Sequence, residues 1–141
     1  MRITIYSKTK RMEESVMALG VSNGTLSPLT GKPNAVSTQT DKEALKMNPL
    51  PFKGTLSESK FQIMRILQSL DRVTVVKEDP DYIHAVFSSK VLRFKDDVEF
   101  YFDSSSQQVH FRSASRVGYS DWGVNRKRME DISARYKEAS R

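Results

Sequence analysis

The chain has 141 residues, the length of one ordinary domain with a single core. Its 38% hydrophobic and 28% charged content fits a globular protein, although a mean hydropathy of −0.54 implies a segment that forms no core. The absence of cysteine excludes disulfides, thiolate metal sites and cysteine nucleophiles. A net charge of +6, from 23 Lys and Arg against 17 Asp and Glu, permits contact with nucleic acid, anionic lipid or an acidic protein and selects none of them.

In chain order, Ile3 and Ile5 suit a short strand, and Met12 to Leu19 suit a brief helix. The basic start is not followed by the apolar stretch of a signal peptide, and no apolar run approaches the length of a membrane span. A cytoplasmic protein without a transmembrane segment is the default expectation. Residues 20–48 are rich in Ser, Thr, Asn, Gly and Pro and read as an arm or linker. Residues 1–48 are therefore expected to precede a compact domain over residues 49–141.

Thr55 and Ser57 offer side-chain oxygens for the first free amides of a helix. Phe61, Met64, Leu67 and Leu70, with Ile63 and Ile66, recur at helical spacing, so a helix is predicted over residues 57–70. The period then changes. Val73 to Val76 and Tyr82 to Phe87 are β-branched or aromatic around the turn residues Glu78-Asp79-Pro80-Asp81, which predicts a hairpin.

A third strand places Phe94, Val98, Phe100 and Phe102 on one face and Asp97, Glu99, Tyr101 and Asp103 on the other. A fourth places Gln107, Val109 and Phe111 opposite Gln108, His110 and Arg112. Pairing Asp103 with Ser106 sets Phe100 against Val109, Val98 against Phe111, Glu99 against His110 and Asp97 against Arg112. The last helix is predicted from Ser120-Asp121 to about Ala139, with Trp122, Met129, Ile132 and Tyr136 along its buried seam. The expected fold is α+β, a four-stranded antiparallel meander covered on one face by two helices, with an extended N-terminal arm.

Two stretches carry a family likeness: Phe94-Lys95-Asp96-Asp97-Val98-Glu99-Phe100, and Arg112-Ser113-Ala114-Ser115-Arg116-Val117-Gly118-Tyr119-Ser120-Asp121-Trp122-Gly123-Val124-Asn125-Arg126. Together they resemble the signature of the family called domain of unknown function 1499. In that family an aspartate pair precedes an Arg-Ser-x-Ser-Arg-x-Gly-x-x-Asp-x-Gly-x-Asn-Arg segment. Pro33-Asn34-Ala35-Val36-Ser37 resembles the family's upstream motif, with Ala35 where members usually carry cysteine, so no redox role transfers. Many members are membrane-anchored, and this chain shows no such anchor. The resemblance supports the domain and implies no reaction.

Three readings of the polar block compete. Arg112, Ser115, Arg116, Asn125 and Arg126 could gather an anion at the start of the last helix, but Asp121 would occupy the same backbone donors and repel it. A structural network of Asp96, Asp97 and Asp121 with these arginines and Asn125 is preferred, because a buried aspartate requires a partner. An enzyme would use Asp96 or Asp97 with His84 or His110 and an arginine clamp. Neighbouring residues on a strand face opposite ways, however, so the two aspartates form no dyad.

No metal-ligand spacing or phosphate-cradling loop occurs, and no cofactor is expected. Nucleic acid is disfavoured because Trp122 is placed on the buried seam and acids share the face of Tyr101. The expectation is a noncatalytic domain binding a small anion or a partner protein. The alternative is an enzyme with an Asp/Arg constellation.

Overall fold

A computed structural model of the chain describes residues 19–139. The short strand at Ile3 and Ile5 and the brief helix from Met12 fall outside the described residues.

Strands β5 (Val73–Asp79), β6 (Tyr82–Ser88), β7 (Lys95–Asp103) and β8 (Gln108–Ser115) form an antiparallel meander. It is the centre of a larger sheet. Strands β3 (Ala35–Ser37) and β4 (Leu50–Pro51) both pair with the outer edge of β8, giving six strands. The four-stranded meander is thus corrected to a six-stranded sheet, while the α+β class with two helices holds. Three- and two-residue strands carry no measurable alternation, yet each satisfies backbone groups that β8 would otherwise expose. The described part of the expected arm supplies β3 and a separate hairpin of β1 (Val21–Ser22) and β2 (Thr25–Leu26). Asn23 and Gly24 both have positive φ, 53° and 74°, as a two-residue hairpin turn requires.

The β7–β8 register lies two residues from the expected one. Asp103 pairs with Gln108, and Phe100 with Phe111, Val98 with Ser113, Glu99 with Arg112 and Asp97 with Ala114. The cause is the turn. The Asp103 carboxylate accepts hydrogen bonds from the Ser105 amide at 3.0 Å and from the Ser105 and Ser106 hydroxyls at 2.8 Å, and Gln107 adopts φ 54°. This builds a longer loop than the two-residue connection assumed. A two-residue slip keeps every side chain on its face, so alternation does not oppose it.

Helix α1 (Leu56–Ser69) starts at a capping box: Thr55 Oγ1 accepts from the Glu58 amide at 3.1 Å, and Glu58 Oε1 accepts from the Thr55 amide at 3.2 Å. Any Cβ on Gly54 would lie 2.8 Å from that carboxylate, so the box requires glycine there. Ile63, Ile66 and Leu67 face the sheet, whereas Phe61, on the other side of the helix, is 59% exposed.

Helix α2 (Val124–Glu138) begins four residues later than predicted. Trp122 has φ 55° and lies outside it, 93% exposed, so it is removed from the seam that Met129, Ile132 and Tyr136 form. Both helices pack on the face of Ile83, Val98, Phe100, Phe111 and Val109. Burying each such side chain stabilises by about 1.5–3 kcal/mol.

Candidate functional site

The two sheet faces carry different polar arrangements, and the 89–94 and 116–123 loops join them at one end. On the helix face, Asp96 is buried and Arg128 Nη2 donates to its Oδ2 at 2.7 Å. Arg128 Nη1 donates to Asn125 Oδ1 at 2.7 Å, and its guanidinium lies 4.7 Å from the centre of the Phe87 ring. Asn125 Oδ1 also accepts from the Ser113 hydroxyl. Asn125 Nδ2 faces Asp121 Oδ2 at 2.7 Å, Ser115 Oγ at 2.9 Å and the Asn34 carbonyl at 3.0 Å.

Asp121 additionally accepts from the amides of Gly123 and Asn125, so it caps α2 from three residues before its first residue. Burial raises its carboxyl, and the Asn125 and backbone hydrogen bonds outweigh this and leave it lowered. Asn34 Nδ2 donates to the Gly118 carbonyl at 2.8 Å, and the Asp121 amide donates to the Pro33 carbonyl at 3.2 Å. Five segments are thereby fastened: the turn before β3, β7, β8, the 116–123 loop and α2. Such a closed polar network specifies one arrangement because any missing member leaves a buried polar group unpaired.

The opposite face is charged but covered. Segment 19–30 lies over it: the Gly20 amide donates to Glu99 Oε2 at 2.7 Å, and Arg112 Nε donates to the Ser27 carbonyl at 3.0 Å. Leu26 and Leu29 are buried there, apart from the main core. Glu99 is fully buried, and the Tyr82 hydroxyl donates to its Oε2 at 2.6 Å. Its Oε1 has no hydrogen bond among the described residues and lies 3.6 Å from Arg112 Nη1. Burial, followed by the hydrogen bond to Glu99 and the carboxylate charges of Glu99 and Asp97, pushes the Tyr82 phenol up.

Next to this group, Asp97 accepts from Arg116 Nε and Nη2, each at 2.9 Å, and lies 2.7 Å from His84 Nε2. Burial alone would raise the Asp97 carboxyl, but hydrogen bonds from His84 and Arg116 and their charge hold it at about 2. The bidentate bond to Asp97 raises Arg116 in turn. Tyr101 and His110 stack with centroids 6.4 Å apart, and burial lowers the His110 imidazole.

The residues expected to hold a ligand are therefore dispersed. Ser115 and Asn125 belong to the helix-face network, while Arg112 and Arg116 project on the charged face. Arg126 reaches across to the Ala44 carbonyl at 2.9 Å. Asp97 pairs with Arg116 and His84 instead of Arg112, and the partner of Asp96 is Arg128. Glu99 and Tyr82 carried no sequence signal beyond their strand positions, because the segment that buries them is remote in the chain.

Of the cavities, one lies away from both groups and one borders the charged face. A cleft of 830 Å³ runs along α1 past Phe61, Met64 and Pro80, and one of 460 Å³ opens between Gly20, Lys77 and Tyr82. More distinctive is the exposed loop end. Of the ten large apolar side chains exposed among the described residues, Val91, Leu92 and Phe94 sit on the β6–β7 loop. Val117, Tyr119, Trp122 and Val124 follow β8. The loops adjoin, since the Arg116 amide donates to the Lys95 carbonyl at 3.1 Å.

Fold and site define an α+β domain in which one sheet is covered on both faces and a polar network fixes a protruding loop. The chain belongs to the family described as protein of unknown function DUF1499, whose family model matches residues 25–135. No curated protein and no solved structure matches it. Among the described residues no helix is long and apolar enough to cross a membrane, and no group of three or more His, Cys, Asp or Glu side chains is placed to hold a metal ion.

Proposed function

We propose that the chain is a noncatalytic interaction domain whose docking surface is the loop end built by residues 89–94 and 116–123. The observation that carries this reading is the gathering there of six of the ten exposed large apolar side chains, with a seventh, Val124, on the first residue of α2. Solvated apolar residues scattered singly need no explanation, whereas a contiguous group marks a binding surface. The helix-face network supports the same reading. It consumes Ser115, Asn125 and Asp121 in holding the 116–123 loop, so a small anion would have to break bonds the fold already makes.

The test is a photo-reactive phenylalanine placed at Leu92 and, as a control, at Val76, which is also exposed but lies on β5. Illumination in cells should give adducts, to protein or to lipid, from position 92 and not from position 76. Adducts in equal yield from both positions, or none of either kind from 92, would remove the docking surface.

One observation favours a second reading, an enzyme. The Asp97–His84 contact at 2.7 Å, with Arg116 clamping the same carboxylate, orients an imidazole as a general base requires. His84→Asn would then abolish turnover in a substrate screen while the variant still unfolds cooperatively, at a somewhat lower melting temperature. Turnover unchanged in that variant would eliminate the dyad.

A further inference from the structure

Resting on the docking surface proposed above, the geometry points to its partner: an anionic lipid surface, entered by the tips of the two loops. Charge is the first observation. The exposed charged side chains of these loops that have no ion-pair partner in the fold are basic, namely Lys90 and Arg93, and Lys95 and Lys127 flank them, while Arg116 is held by Asp97. The acids nearby are occupied inside the fold, Asp96 by Arg128, Asp97 by Arg116 and His84, and Asp121 by Asn125 and backbone amides. Exposed cations outnumber exposed acids at this end, where Asp71 stands beside the Ser88–Arg72 contact, so the loop end complements a negative partner.

The second observation is the kind of apolar side chain and where it stands. Val91 is 84% and Trp122 93% exposed, and Leu92 and Tyr119 are also well exposed. Aliphatic tips can enter the acyl boundary, while Trp and Tyr suit the headgroup level and long cationic side chains reach back to the phosphates. A single-stranded nucleic acid would use the aromatic rings and the cations but would find no use for Val91, Leu92 and Val117, which stack on no base. A protein interface, for its part, is depleted of lysine at its core, whereas Lys90 stands here directly beside the exposed Val91 and Leu92. The 116–123 loop is tied to Asn34 and Asn125, so its tip cannot fold back to bury itself.

The protein carries its own reporter, because Trp122 is its single tryptophan. The full chain is mixed with vesicles of phosphatidylcholine alone or phosphatidylcholine with phosphatidylserine, and both co-sedimentation and tryptophan emission are read. With phosphatidylserine the protein should sediment and its emission shift to the blue, and both effects should fade as salt rises. Leu92→Ser should lower the vesicle partition coefficient by about tenfold while leaving the melting temperature unchanged, since Leu92 contributes nothing to the core.

No sedimentation with either vesicle would overturn the lipid assignment. So would binding that Leu92→Ser leaves intact, or a spectral shift obtained with a single-stranded oligonucleotide and not with vesicles. Protein adducts from position 92 combined with failure on vesicles would leave the docking surface standing and remove only the lipid. Failure of both would remove the surface itself.

Discussion

Asp97 illustrates how a buried carboxylate is set by what surrounds it. Its side chain is 11% exposed, yet Arg116 and His84 keep it ionised with a pKa of about 2, below the ordinary 3.8. A depressed folded-state pKa stabilises the fold above the unfolded value, and that contribution is lost as pH falls through the folded one. Asp97 should therefore contribute on the order of 2 kcal/mol at neutral pH, disappearing between about pH 4 and pH 2. Asp97→Asn should lower the neutral-pH stability by a similar amount and flatten the acid limb over that window. Urea unfolding repeated at several pH values measures both. An acid limb as steep in the variant as in the parent would assign the acid sensitivity to another group. The sequence paired Asp97 with Arg112; Arg116 and His84 hold it instead, because the partner depends on register and on a loop whose path alternation leaves open.

At the scale of elements, the parts that announce themselves by period were legible: α1 from its capping box and apolar stripe, β5 to β8 from alternation, and the seam of α2 from Met129, Ile132 and Tyr136. Errors came where two solutions share one pattern. A two-residue slip between β7 and β8 preserves both faces, and only the Asp103 carboxylate's grip on Ser105 and Ser106 selects the longer turn. Trp122 sits near a seam by helical spacing, but Asp121 caps α2 from outside it and leaves Trp122 in solvent.

Arg128 adds an ion pair with Asp96 to the apolar packing of α2 on β7. Arg128→Ala leaves Asp96 buried with no arginine and should cost about 3–5 kcal/mol. Adding Asp96→Asn should recover part of that loss, because the stranded charge is then gone. Chemical denaturation of the two single variants and the double variant checks it. Additive losses in the double variant would show that the pair is not coupled.

Across the whole molecule, the feature least visible in the sequence is that the sheet has two covered faces. Alternation along β7 places Asp97, Glu99 and Tyr101 outward, a pattern that ordinarily means solvent. Here residues 19–30, which have neither helical nor strand period over any useful length, lie across that face and cover Glu99, the Gly20 amide bonding the carboxylate that Tyr82 of β6 also bonds. The Ser-, Asn- and Pro-rich composition that reads as an arm is what a segment needs to follow an irregular path while bonding side chains, as Gln39 does with Leu26 and Gly24.

A chain beginning at Asn48 tests this dependence. It retains the meander, both helices and most of the apolar core, yet it opens Glu99 and Arg112 to solvent and leaves the outer edge of β8 from Arg112 to Ala114 without β3. An unprotected edge invites pairing with other copies, and removal of the leucine-bearing cover exposes further apolar surface. The shortened chain should lose its cooperative thermal transition by circular dichroism and elute from size exclusion as larger species. A sharp transition within a few degrees of the full chain, with monomeric elution, would show instead that residues 49–141 fold without their cover.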